Sequence, residues 1–224
     1  MHIKKIAATA LLALAASPAH ADSKSEAQFW LTNSVSLPID DKISLTGDFI
    51  LRSHPDALDV GQYIARVGVR RSLGNGAALQ ATYGWFDSRN RAGANVIEHR
   101  LGQTLSMHVA DFGEWRIDGR VGLEQRLRST GGEMGWRARA RLRATRPLSH
   151  HISLHISEEL IGALNNTAWG QAAGLTASRL GTGVNYRFSD HLAIGPSYSW
   201  QRVVVAARPD RNSHVFGLTI DADL

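Results

Sequence analysis

Cysteine is absent from the 224 residues, which excludes both a disulfide framework and a thiolate metal site. Proline is sparse, at 6, and no stretch beyond the N-terminal region has the roughly 18 consecutive apolar residues of a membrane-spanning helix. Apolar residues at helical spacing are almost missing after residue 26. There is no phosphate loop, dinucleotide fingerprint or zinc signature. The histidines are scattered: His150 and His151 sit in a turn, and His54, His108, His191 and His214 are far apart. No cofactor and no metal is expected. No linker divides the chain, so a single domain is expected over 22–224.

What is present begins with an export signal. MHIKK is basic, IAATALLALAA is an apolar run too short to span a bilayer, and SPAHA places small residues at Ala19 and Ala21. This order reads as a secretory signal peptide over 1–21, cleaved after Ala21. Loss of Lys4 and Lys5 lowers the formal net charge of +5 by two. The mature chain then begins near Asp22, outside the cytoplasm, and nucleic acid is not an expected partner. The basic residues also alternate with apolar ones and form no stripe with aromatic platforms.

The segment Trp136–Leu148, WRARARLRATRPL, carries the strongest pattern. Arg137, Arg139, Arg141 and Arg143 recur at a period of two, separated by Ala138, Ala140 and Leu142. On a strand, successive side chains point to opposite faces, so the guanidiniums share one face and the apolar groups the other. A soluble sheet hides its apolar face, whereas a membrane barrel turns it outward to lipid and its polar face inward.

The same alternation runs through the rest of the chain. Ile43, Leu45, Phe49 and Leu51 oppose Ser44, Thr46, Asp48 and Arg52; Leu79, Ala81, Tyr83 and Trp85 oppose Gln80, Thr82 and Gly84. Trp115, Ile117, Val121, Leu123 and Leu127 oppose Arg116, Asp118, Arg120, Glu124, Arg126 and Arg128. Eleven strand-like segments emerge, at about 27–37, 42–52, 62–72, 77–87, 97–109, 115–128, 135–147, 151–162, 175–188, 191–204 and 213–224. Most have the roughly 10 residues that a tilted strand needs to cross a hydrocarbon layer. Short turns, such as Asn75-Gly76, alternate with longer links at Ser53–Gly61, Ser88–Val96, Ser129–Met134, Ala163–Gly174 and Ala206–Asn212. The expected fold is an all-β, antiparallel transmembrane barrel of about 10–12 strands. Because single-chain bacterial barrels are even, either 27–37 leaves the wall or a twelfth strand hides near 22–30 or in 163–174. A soluble periplasmic β-sandwich is the alternative. His99, Gln103 and Gln125 fall on the apolar face, as does Glu158 unless a bulge follows Ser157, and Pro196 interrupts a strand.

The ordered pieces QFWLTNSVSLP, EHRLGQTL (Glu98–Leu105), GLEQRLR (Gly122–Arg128), RARLRATRPL (Arg139–Leu148), SEELIGALNN (Ser157–Asn166) and SRLGTGVNYRFSDHLAIGPSYSWQ (Ser178–Gln201) cover most of the mature chain. In these the chain resembles the outer-membrane-like barrels of domain-of-unknown-function family 2490. The resemblance implies an outer-membrane barrel of unassigned activity, with no catalytic residues to carry over. Gly102 stands where that family tends to have an aromatic. Leu224 stands where barrels generally end in an aromatic, the feature that the barrel-assembly machinery reads.

The inward face is rich in arginine. Arg116, Arg120, Arg126, Arg128 and Arg137 are placed there, with Arg139, Arg141, Arg143, Arg100 and Arg187, against Glu98 and Glu124. Ion pairs either fill this lumen and fix its shape, or leave a narrow anion-favouring pore. A third reading is a lipid-modifying hydrolase: His155, Ser157 and Glu159 share one strand face and supply a base, a hydroxyl and a carboxylate. Their spacing resembles the His-x-Ser pair of lipid A deacylases, but they point away from the lipid side. Expected partners are outer-membrane lipid and lipopolysaccharide, the latter met by Arg89, Arg91, Arg208 and Arg211 in loops, together with the assembly machinery and small anions.

Overall fold

The computed structural model describes residues 24–204 and 209–224. The signal-peptide segment and Arg208 lie outside the described residues. Eleven strands follow one another: β1 (Lys24–Pro38), β2 (Ile43–Ser53), β3 (Val60–Gly74), β4 (Ala77–Arg89), β5 (Asn95–Phe112), β6 (Trp115–Arg128), β7 (Gly131–Pro147), β8 (Ile152–Ala163), β9 (Gly174–Arg187), β10 (Leu192–Val203) and β11 (Arg211–Asp223). They form one closed barrel, each strand hydrogen-bonded to the next in sequence, with β1 closing on β11. The described residues contain no helix.

Closure of a single sheet excludes the two-sheet sandwich. The expected antiparallel pairing holds for every neighbouring pair except the seam, where β1 and β11 run parallel with Phe29 opposite Phe216. An up-and-down chain with an odd number of strands leaves its first and last strands pointing the same way, so the seam must be parallel. Neither even-numbered repair of the count holds. Segment 27–37 lies in the wall as part of β1, and 163–174 supplies a loop between β8 and β9. The expected long link at Ser129–Met134 shrinks as well, because β7 already begins at Gly131.

The links sort to two ends. One end, the loop rim, carries the β2–β3, β4–β5, β8–β9 and β10–β11 loops and the short β6–β7 link. The other, the turn rim, carries the remaining turns, including Asn75-Gly76 with positive φ at both residues (52° and 74°), the backbone of a tight hairpin. At the loop rim, the Ala27 N–H donates to the Asp56 carboxylate at 2.7 Å and the Asp56 N–H returns to the Ala27 carbonyl at 2.8 Å. The β2–β3 loop is thereby tied to the start of β1.

The wall is inverted relative to a soluble protein. Leu45, Val67, Val69, Leu101, Val121 and Phe216 are exposed on its outer surface, while Asp87, Glu98 and Glu159 are buried. Polar exceptions on the outer face pair with one another across strands. Tyr83 and His99 stack, with the hydroxyl and Nδ1 2.7 Å apart. Gln103 and Gln125 exchange amide hydrogen bonds of 3.2 and 3.0 Å. Glu158 stays outward between Leu142 and Leu180, because the ladder bulges only later, between Ile161 and Gly162. Pro196 pairs with Leu218 of β11, and the β9–β10 register is interrupted beside it, between Ile194 and Ser197.

Candidate functional site: the barrel lumen

Alternation sends every second residue inward, and near the loop rim the inward residues form a continuous belt. Glu98 on β5 accepts from Arg100 Nε at 2.5 Å and from Arg126 on β6 through Nε and Nη2 at 2.6 and 3.0 Å. Glu124 on β6 accepts from Arg137 Nε at 2.8 Å and Arg139 Nη1 at 3.0 Å, both on β7. Glu159 on β8 accepts from Arg139 Nη2 at 2.7 Å and from Arg179 Nη1 on β9 at 3.2 Å. Arg179 Nε reaches Gln201 on β10 at 2.9 Å. Ser213 on β11 donates to Glu26 on β1 at 2.8 Å. Trp30 on β1 lies under Arg52 of β2, 3.8 Å from ring centroid to guanidinium carbon, and Arg52 donates to Gln62 on β3 at 3.0 Å. Arg100 covers the Phe86 ring of β4 at 3.5 Å. Charge-assisted and bidentate bonds of this kind have fixed geometry, so the belt locks the strands' relative heights as well as their charges.

Two further layers close this end. Ile50, Ile64 and Phe86 point inward side by side and form a small apolar cluster, with Ile64 only 1% exposed. From above, the β8–β9 loop folds in. Gln171 is buried, accepting from Arg126 Nη1 at 3.0 Å and donating to the Trp136 carbonyl at 3.2 Å. Trp169 lies about equally far from Arg126 and Arg128, at 5.2 and 5.3 Å, and its indole donates to the Glu133 carbonyl at 2.8 Å. Gly131 and Gly135 on β7 make room for them: a Cβ at Gly135 would fall 2.6 Å from the Trp169 ring and 2.8 Å from Gln171 Oε1.

Below the belt lies a cavity of about 1190 Å³. Its lining reaches the turn rim at Gly76, Asp190 and Asp223 and stops at Trp30, Arg52, Phe86, Arg100 and Glu124. Glu98, Arg126, Arg128 and Arg137 sit in or above the belt and do not line it. Arg116, Arg120, Arg139, Arg141, Arg143 and Arg187 do line it. His155, Ser157 and Glu159 also face this cavity, but Glu159 is held by Arg139 and Arg179, and His155 Nδ1 is buried without a hydrogen-bond partner. No hydrogen bond links these three to one another, so no nucleophile–base pair is assembled.

The profile of a family described as a protein of unknown function, DUF2490, matches residues 27–212. The chain belongs to the DUF2490 family. An uncharacterised protein of Methylorubrum extorquens is 23% identical over 222 residues, spanning 98% of this chain and 97% of the relative. In this DUF2490 chain Gly102 abuts Thr82, whose Oγ1 would lie 2.6 Å from an added Cβ. An aromatic there would displace that inward pair.

Alternation puts the arginines and glutamates of the belt on one strand face, and it puts Trp30, Gln62 and Gln201 there too, in line with Thr32, Ile64 and Ser199. It does not reveal which of these meet across strands to complete the ring. Gln171 sits in a loop with no periodicity, and nothing in the sequence marks it.

Proposed function

We propose that this protein is an outer-membrane β-barrel that crosses the lipid layer on its exposed apolar exterior and does not conduct ions, because the arginine–glutamate belt and the folded-in β8–β9 loop close the loop end of its lumen. The carrying observation is the inversion itself, apolar side chains outside and Glu98, Glu159 and their arginines inside. An 11-residue strand such as β2, at about 3.3 Å per residue and tilted about 40°, covers about 28 Å, close to the apolar band of such barrels. Export by the N-terminal signal, assembly by the barrel-assembly machinery and contact with lipopolysaccharide belong to the same reading. Arg91 is partly committed at the loop rim, donating to the Pro55 carbonyl at 2.6 Å, and Arg89 is held by Asp87. Arg211, exposed at the same rim, is therefore the better lipopolysaccharide contact, and charge reversal there is expected to weaken that binding.

The test is twofold. The protein should fractionate with the outer membrane and show heat-modifiable gel mobility, and in planar bilayers it should give no stepwise current. Recovery in the soluble periplasmic fraction, or reproducible channel steps from the wild-type protein, overturns this reading.

A further inference from the structure

Below the belt the pairing of charge changes. With the belt residues that face it included, the cavity lining carries eleven arginines against seven carboxylates, and two of those acids, Glu124 and Glu159, are taken by belt arginines. Arg120 on β6 has one long hydrogen bond, 3.5 Å to Thr104, and no carboxylate partner among the described residues. Arg141 and Arg143 on β7 have no hydrogen bond or ion pair to any described residue. The three stand on neighbouring positions of adjacent strands: Arg120 is directly opposite Arg141, and Arg143 is two residues further toward the turn rim, opposite Ser157 of β8. The charges that bear most on Arg120 are those of Arg141, Arg139 and Arg66, all of the same sign. Around them the wall is small and polar: Thr104, Gly122, Ser157 and Gly181 leave the space that larger residues would fill. His155, with its orphaned Nδ1, faces the same space.

Stability alone does not account for this arrangement. Glu159, opposite Arg141, is already held by Arg139 and Arg179. The three adjacent guanidiniums, with no ion pair of their own among the described residues, repel one another in a confined space, and neutral residues of similar length would pack there without that penalty. A guanidinium cluster with open donors matches the oxygens of phosphate in charge and geometry. We infer that the turn-side vestibule is a binding site for a multivalent oxyanion, a phosphate-bearing small molecule, held by Arg120, Arg141 and Arg143 with Ser157 and His155 at its edge. The ligand enters from the turn rim and is retained in a blind cup. The site rests on the cavity and not on the membrane reading, so the two fail separately.

The folded barrel in detergent tests it, by calorimetric titration with inorganic phosphate and with glycerol phosphate, using chloride at matched ionic strength as the monovalent control. Saturable binding of at least one phosphate species, and not of chloride, is expected. Uptake of inorganic phosphate alone identifies a free anion as the ligand, and uptake of the ester identifies a phosphorylated small molecule or headgroup. The Arg141→Gln/Arg143→Gln double variant is expected to bind at least tenfold more weakly. Arg146→Gln, which alters an exposed arginine paired with Glu114 near the turn rim, is expected to bind as the wild type does. Ser157→Asp keeps every arginine and places a carboxylate opposite Arg143, so it should weaken binding even if the double variant fails to fold. Absence of saturable binding to the wild type, or equal binding by wild type and Ser157→Asp, overturns the proposal.

Discussion

Some lumen arginines form ion pairs with a carboxylate and others do not, and that difference sets opposite signs for their removal. Glu124 is 16% exposed and serves both Arg137 and Arg139. Glu124→Gln leaves two semi-buried cations without their shared acceptor, and breaking one side of such a pair costs about 3 kcal/mol. The midpoint of unfolding in detergent, followed by heat-modifiable mobility or urea titration, is expected to fall clearly. Arg141 stands opposite Glu159 but makes no ion pair with it, because Arg139 and Arg179 already hold that carboxylate, and it adds repulsion to Arg120. Arg141→Gln is therefore expected to leave the midpoint unchanged or raise it. If both variants fall equally, the belt is not the structural element described above, and general loss of lumen polarity is what destabilises the barrel.

At the scale of the element, the β4–β5 and β10–β11 hairpins share a device. Tyr83 with His99, and Tyr198 with His214, each make a hydroxyl–Nδ1 contact of 2.7 Å with stacked rings on the outer face. The pair lets a histidine occupy an apolar exterior because its polar atom is satisfied locally. Tyr83→Phe should orphan His99 and destabilise the barrel by about 1 kcal/mol, and adding His99→Leu should recover most of the loss. Unfolding midpoints of the two single variants and the double variant check this; strict additivity would mean the contact is energetically idle. The same hairpins show how far the sequence is legible. Period-two alternation locates all eleven strands and their inward faces, since a strand's two faces are written in adjacent residues. His99, Gln103 and Gln125 look like errors in that pattern only because their partners, Tyr83 and each other, lie on neighbouring strands. Closure is illegible for a similar reason: the meeting of β1 with β11 joins residues 187 apart, as in the Glu26–Ser213 bond, and no local signal encodes it. The inward fold of Trp169 and Gln171 belongs to a loop whose conformation depends on the space left by Gly131 and Gly135.

At the scale of the whole molecule, the odd strand number has a topological consequence. β1 starts at the loop rim, while β11 ends at the turn rim with Leu224 donating to the Ser36 carbonyl at 2.9 Å. The two ends of the wall therefore face opposite sides of any layer the barrel crosses. An even-stranded up-and-down barrel would place them on the same side. The absence of cysteine makes this directly measurable, because a single introduced thiol is the only one present. Ser25→Cys and Leu224→Cys report the start of β1 and the end of β11. Leu58→Cys, at a site 79% exposed in the β2–β3 loop, and Ile39→Cys, at one 57% exposed in the β1–β2 turn, report the two rims. Labelling of intact cells with a membrane-impermeant maleimide, compared with permeabilised cells, is expected to group Ser25→Cys with Leu58→Cys and Leu224→Cys with Ile39→Cys, the two groups having opposite accessibility. The result does not depend on which rim faces outward. Equal accessibility of Ser25→Cys and Leu224→Cys would require an even number of crossings. The parallel seam between β1 and β11 would then have to be replaced by an antiparallel one, and with it the register that holds Glu26 against Ser213 and completes the belt.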